Sequence, residues 1–330
     1  MNDERPRYRS YAAYLKELYG EKTYRVGIDG GFSCPHRMSF RGAGGCTFCD
    51  EYGSRAVYQR GIDDMSSSLD LDRRLALVQK QVKNGLEFLK KRYKTDSFII
   101  YFQAFSSTNA PVSELKEIYD AGLSAHPFRE LAVSTRPDCI DQEKADLLGG
   151  YVRGGTPVWV ELGLQSASDT TLRRINRGHT VMSFEKAMGM LKERGIRVAA
   201  HVIFGLPGEG WEEIMSTVDY LAEREIDGIK IHDLHIPRST PLLSEYLHGE
   251  ISLPCDARHL AYVVDAIERL PEETVIMRLT CDTPDSARAL PLHPPQKERF
   301  FNQVRGELER RDSRQGARLR SSGKPRRLLT

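Results

Sequence analysis

Along the chain, short runs of apolar and β-branched residues alternate with longer stretches whose apolar positions recur every three or four residues. The short runs lie at 24–28, 97–102, 131–135, 158–164, 198–204 and 228–231, and each is apolar nearly throughout, as strands covered on both faces must be. Between them the helical period predicts helices over 69–93, 112–124, 141–149, 170–194 (two in succession) and 211–224. Strand, helix, strand in strict succession predicts an α/β fold with a parallel sheet, either a barrel or a doubly wound sheet. Beyond 236 the rhythm changes. Helices over 242–247, 257–270 and 296–310 and a strand over 274–280 read as a small α+β extension packed on the barrel.

The pattern divides the chain into an N-terminal segment (1–23), a barrel (24–240), the extension (241–310) and a basic, disordered tail (311–330). Charge changes this picture only at the end. Lysine plus arginine (48) against aspartate plus glutamate (46) leaves +2, which gives no whole-chain field for nucleic acid. The last 26 residues nevertheless hold nine cations, among them Arg320, Lys324, Arg326 and Arg327, against three acids. They read as a solvated tail or as an electrostatic arm for RNA. With 40% apolar and 28% charged residues the chain is of globular composition. No apolar run approaches the ~18 residues of a membrane span. The opening MNDERPRYRS carries acids and arginines where a signal peptide is apolar. A cytoplasmic protein with no membrane partner is expected.

One stretch lacks either period: a Gly- and Cys-rich loop over 30–61, long enough to need a functional reason. It holds Cys34, Cys46 and Cys49, a C-x11-C-x2-C spacing, while Cys139, Cys255 and Cys281 are scattered and read as small buried hydrophobes. Three thiolates are one short of the four that a structural zinc or an ordinary iron–sulfur cluster takes. His36 could complete a zinc site. A [4Fe-4S] cluster with one open iron could instead bind a small molecule and pass it an electron. Glycines at 30, 31, 42, 44 and 45 suit a backbone that wraps closely about such a cluster.

A three-cysteine loop after the first strand of a βα repeat, with an aromatic residue inside the last pair (Cys46-Thr47-Phe48-Cys49), resembles the radical S-adenosylmethionine (radical SAM) superfamily. The longer first interval, with Gly27-Ile28-Asp29 and Gly44-Gly45-Cys46, resembles its YhcC/YtqA-type branch, whose radical domain is similar to that of the Elongator catalytic subunit. The resemblance spans roughly 8–310. It implies a partial (β/α)6 TIM-type barrel and a [4Fe-4S] cluster held by Cys34, Cys46 and Cys49. The fourth iron would chelate the methionine end of SAM, and reduction would cleave SAM to methionine and a 5′-deoxyadenosyl radical. An electron donor such as flavodoxin or ferredoxin is implied as partner.

Strand ends supply the remaining candidates. After the second strand, where the superfamily usually has a Gly-Gly-Glu segment for the SAM amino group, this chain offers Gln103, Ser106 or Ser107. Glu161 and Gln165 interrupt the apolar fourth strand. A buried carboxylate needs a ligand or an ion pair, and the resemblance implies that the acid here meets the SAM ribose. It further implies Arg177 for the SAM carboxylate, the turn at Gly205 beneath the adenine, and His232 against adenine or substrate. Their structural readings are a surface arginine, a plain strand-to-helix turn and a hydrogen-bonded barrel histidine.

No G-x-G-x-x-G follows the first strand and no Gly-Lys-Ser/Thr is present, which excludes the Rossmann and P-loop readings. The Elongator-like domain and the basic tail together suggest tRNA modification, at a wobble-uridine side chain. The alternatives are a small metabolite or protein as substrate, or a non-enzymatic, zinc-stapled RNA-binding module.

Overall fold

A computed structural model of the protein describes residues 6–36, 44–49, 65, 68–238, 240–281, 288–291 and 296–319. Its elements begin with a helix that the apolar pattern does not announce, α1 (Tyr11–Tyr19). The six expected strands follow as β1 (Tyr24–Ile28), β2 (Phe98–Phe102), β3 (Leu131–Thr135), β4 (Val158–Gln165), β5 (Arg197–Phe204) and β6 (Gly228–Asp233). Between them run α2 (Leu71–Tyr93), α3 (Val112–Leu123), α4 (Gln142–Arg153), the pair α5 (Asp169–Arg174) and α6 (Val181–Lys192), and α7 (Trp211–Glu223). Helix starts are fixed by side chains. Asp70, Asp141 and Thr180 each accept a hydrogen bond from a backbone N–H of the first turn, a device that contributes about 1 kcal/mol apiece.

Beyond β6 the structure corrects the sequence reading. The short strand β7 (Ile236–Pro237) leaves the sheet, α8 (Pro241–Leu247) and α9 (Asp256–Arg269) follow, and β8 (Val275–Arg278) returns to pair parallel with β6. The main sheet therefore has seven parallel strands, in the order β1-β2-β3-β4-β5-β6-β8, not six. The strand assigned to the extension belongs to the barrel because it has apolar contacts on both faces: Val275 packs inside and Ile276 outside. Only β9 (Arg288–Leu290), antiparallel to β7, and α10 (Lys297–Arg310), which lays Phe300, Val304 and Leu308 against α9, remain as an appendage.

Alternation along the strands sorts the side chains. Phe98, Ile100 and Phe102 of β2 face the helices, whereas Ile99 and Tyr101 face inward with Ala132, Trp159, Ala199 and Val275. Helix α1 closes this inner layer from below with Tyr14 and Leu15, Tyr14 meeting the Trp159 ring edge-on at 6.0 Å. Tyr19 donates to buried Glu130 at 2.8 Å, and Ile276 N donates to Arg9 O at 2.9 Å. The described part of residues 1–23 is thus the barrel floor.

The tail also departs from expectation. Residues 311–319 are docked rather than disordered. Gln315, 3% exposed, accepts from Arg9 N at 2.8 Å and donates to Pro271 O and Thr274 O. Arg311 pairs with Asp265, Glu307 and Glu268, and Arg318 with Glu268, so these cations are neutralised locally. Residues 320–330 lie outside the described residues. No helix among the described residues is long and apolar enough to cross a membrane.

Candidate active site

The exit of β1 is held on every side. Asp29 N donates to Gln81 Oε1 at 2.9 Å and Gln81 Nε2 returns a bond to Asp29 O at 2.8 Å. Gly30 O accepts from Arg74 Nε and Nη2, and Arg74 is paired with Glu114. Gly31 has φ +70°, and a Cβ there would stand 2.9 Å from Arg74 Nε, so only glycine serves. Asn109 Nδ2 then donates to Ser33 Oγ at 3.0 Å, immediately before Cys34.

The second half of the cysteine loop docks on the segment after α5. Thr47 N donates to Ile175 O, Asn176 Nδ2 to Gly45 O at 2.7 Å, and His36 Nε2 to Asn176 O at 2.6 Å. Gly178, at φ +76°, leaves room for the His36 ring, which a Cβ would meet at 2.5 Å. His36 is therefore engaged in loop docking rather than free to complete a zinc site. Among the described residues no three His, Cys, Asp or Glu side chains gather about a single ion point. A cluster asks no such convergence, because each thiolate binds a different iron. The remainder of the loop predicted over 30–61 lies outside the described residues apart from Met65 beyond it.

Two buried guanidinium groups converge on Cys46. Arg177 Nη1 lies 3.5 Å and Arg136 Nη1 3.9 Å from its sulfur, and Arg136 Nη2 donates to Arg177 O at 2.8 Å. Arg136 is held by both oxygens of Asp138 at 2.9 Å, and its field also reaches Cys34. Arg177 donates to Gly163 O at 2.8 Å but has no carboxylate partner among the described residues, and its Nε is buried without a hydrogen bond. Gly163 is required for this seat: a Cβ would lie 2.5 Å from Arg177 Nη2. The residues present fit an iron–sulfur cluster. Three soft thiols come from one loop, and two desolvated cations await a negative charge that Asp138 alone does not supply. The sequence reading included Arg177 but missed Arg136, whose signal was a charge placed directly at the end of an apolar strand.

The other candidates divide. Gln103 ends β2 half-buried, and Ser106 is buried with its hydroxyl beside the Cys139 thiol. Gln165 sits at the bulged end of β4 with φ +74°, next to Gly163 and Arg177. All three stand at the same mouth of the barrel as the cysteines. At Gly205, with φ +87°, a Cβ would meet Pro254 Cγ at 2.4 Å, so Pro254 packs directly against this turn. Of the scattered cysteines, Cys139 is buried as expected, Cys255 is exposed, and Cys281 is half-buried with its sulfur 3.2 Å from His235 Nδ1.

Glu161 corrects the ribose expectation. It is fully buried at mid-barrel and both oxygens are taken: Arg25 donates to Oε1 at 2.5 Å, and Tyr101 at 2.6 Å, His201 at 2.9 Å and Lys230 surround Oε2. Burial alone would push this carboxyl up, but Arg25 and then Lys230 outweigh it and hold it well below the usual range. Arg25 in turn stacks between the rings of Tyr11 and Tyr101. The buried carboxylate thus found the ion pair, not the ligand.

Two buried histidines make the fold acid-sensitive. Burial, then the charges of Arg177 and Arg136, pushes His179 down to about 4. Burial, opposed by the bond to Glu161 and aided by Lys230, does the same to His201. Unfolded, each would protonate near 6.5, so the unfolded chain binds more protons and stability falls as pH drops from about 6.5 toward 4. Denaturant midpoints of the metal-free protein should fall steadily across that window, by on the order of 3 kcal/mol per histidine if fully expressed. A flat profile would show that neither ring is desolvated.

Comparison with known proteins gives the family. The radical SAM superfamily model matches residues 34–221, beginning at Cys34, and the radical SAM C-terminal domain model matches 226–310. An uncharacterized protein of Methanocaldococcus jannaschii is 36% identical over 94% of this chain and 91% of its own length. YtqA of Bacillus subtilis is 33% identical over 94% and 92%. A shorter match, 29% identical over 48% of this chain and 30% of the relative, is to the tRNA uridine(34) acetyltransferase of Methanocaldococcus infernus. Among solved structures, an N-terminally truncated Elp3 of that archaeon superposes with a TM-score of 0.62 at 20% identity, covering 72% of this chain and 60% of the other, a likeness of fold. The chain belongs to the radical SAM superfamily, enzymes whose cofactors are a [4Fe-4S] cluster and S-adenosylmethionine.

Proposed function

We propose that Cys34, Cys46 and Cys49 hold the cluster, that Arg136 and Arg177 compensate its charge, and that the enzyme modifies a tRNA uridine. The observation that carries the cluster assignment is the pair of buried guanidinium groups at Cys46, one of them without a carboxylate. A [4Fe-4S] core bound by three thiolates is anionic in either oxidation state, so it supplies the missing counter-charge. When bound, cluster and SAM together supply one-electron cleavage of SAM and the radical chemistry that follows. The chain's own part is to position and to exclude. Asp138 and Gly163 O fix the two arginines, Asn176 and His36 fix the loop, and α1 with the Glu161 ion layer shuts water out from below. Gln103, Ser106 and Gln165 line the mouth as contacts for SAM. Enzymes of this family need an electron donor, and ferredoxin or flavodoxin is proposed for that role.

Anaerobic reconstitution followed by EPR of the reduced protein tests the cluster. A [4Fe-4S] signal that changes on adding SAM is expected from the wild type, and none from Cys34→Ala, Cys46→Ala or Cys49→Ala. A signal retained without Cys46 would overturn the assignment.

The tRNA reading is supported by the partial likeness to the uridine(34) enzyme and by Arg320, Lys324, Arg326 and Arg327. Filter binding of total tRNA should weaken steeply between about 50 and about 200 mM salt. A chain ending at Leu319, which keeps the docked Gln315, should bind more weakly and with a shallower salt slope. No binding at low salt would end the RNA reading while leaving the cluster assignment intact.

A further inference from the structure

On the inner wall, opposite the cysteine loop, two polar side chains lack partners. His232 of β6 has its Nε2 buried with no hydrogen bond. Arg278 of β8, half-buried, makes no hydrogen bond or ion pair among the described residues. Strand register places them together. The pairing of β6 with β8 slips after Ile229, so that Lys230 stands beside Arg278 rather than Met277. Lys230 points inward to Glu161, so the slip turns Arg278 to the same inner face, one step along from His232. The His232 ring lies 5.5 Å from that of His201, which already serves Glu161.

Among the described residues the charges around this wall do not balance. Its cations and imidazoles are Arg25, Lys230, Arg278, His201, His232 and His235. Glu161 lies against them with both oxygens occupied, and Asp233 spends Oδ1 on Thr280 and Cys281 N. Burial first, then Arg278 and the other cations, holds the His232 ring neutral, which leaves it able to donate a hydrogen bond without adding charge. A half-buried guanidinium and a buried imidazole nitrogen that make no hydrogen bond among the described residues stand ready for a ligand, and the imidazole nitrogen is costly to leave unpaired.

We propose that Arg278 and His232 receive an anionic oxygen group of the substrate, a carboxylate or a phosphate, on the barrel wall between β6 and β8. The guanidinium fork grips two oxygens and His232 Nε2–H donates to one of them. The site fixes one end of the substrate across the barrel from the cysteines. It does not depend on the substrate's being tRNA.

Calorimetry of the full-length, cluster-loaded protein saturated with SAM tests it, with inorganic phosphate and acetate as probes at constant ionic strength. Saturable one-to-one binding of at least one probe, in the millimolar range, is expected. Preference for phosphate or for acetate then says which group the substrate carries. Arg278→Gln should weaken binding at least about tenfold and His232→Gln several-fold, while Arg278→Lys, which keeps the charge but loses the fork, should fall between. Equal melting temperatures of the variants separate a lost site from a lost fold, and Lys297→Gln on the surface should bind as wild type. The same titration of the cluster-free chain reads the site even if the cluster assignment fails. Absence of saturable binding, binding unchanged in Arg278→Gln, or phosphate binding that appears only without SAM and is displaced by it would overturn the proposal. The last result would give the site to the cofactor.

Discussion

Glu161→Leu is expected to destabilise the protein by about 3–5 kcal/mol, a large share of the stability of an ordinary domain. The loss does not come from the bonds alone. Removing the carboxylate leaves Arg25 and Lys230 buried in mid-barrel with no counter-charge, and Tyr101 and His201 with no acceptor. Adding Lys230→Met should return part of the loss, because one stranded cation goes with it. The double-mutant cycle would then show strong coupling between the two sites. Guanidinium denaturation with an unchanged slope reads both effects. A cost below about 1 kcal/mol for Glu161→Leu would mean that water reaches the layer and that it is not the sealed floor described above.

Arg177→Met should leave the cluster in place but make it harder to reduce. Reduction adds a negative charge, and a guanidinium 3.5 Å from the Cys46 sulfur favours the more negative state. At about 4 Å and an effective dielectric near 20, one such charge is worth up to about 4 kcal/mol. Arg136, already paired with Asp138, should matter less. Redox titration followed by EPR would show the potential shifted negative in Arg177→Met and less so in Arg136→Met. Equal potentials in all three proteins would remove both arginines from the electrostatics of the cluster. Loss of iron from Arg177→Met would instead make its bond to Gly163 O a structural tie of the loop.

The six strands were legible because parallel strands buried on both faces leave unbroken apolar runs, and the three cysteines stood out as candidates because they crowd into sixteen residues of a loop with neither period. What failed was tertiary. Val275 and Ile276 read as a strand, yet only their packing on β6 makes them part of the barrel. Helix α1 is short and fully buries only Tyr14 and Leu15, so its part in the barrel shows only when Trp159 and Val275 are placed above it. Arg311 and Gln315 look like tail residues until Asp265, Glu268 and Arg9 are placed beside them. Within the site, Glu161 was rightly read as needing a partner. Its partners come from four other strands and are visible only once the register aligns Arg25, Tyr101, His201 and Lys230 on one inner face.

The clasp between Arg7, Arg9 and Gln315 gives synthesis a direction. The floor helix is made before the strands that it closes, but its lower flank is tied to residues about three hundred positions later, and its neighbour Ile276 arrives only with the last strand of the seven-stranded sheet. Closing so long a loop is entropically costly and must await the rest of the chain. During translation, then, the barrel is built as an open trough, and its base is sealed only after the mouth that carries the cysteines has already formed.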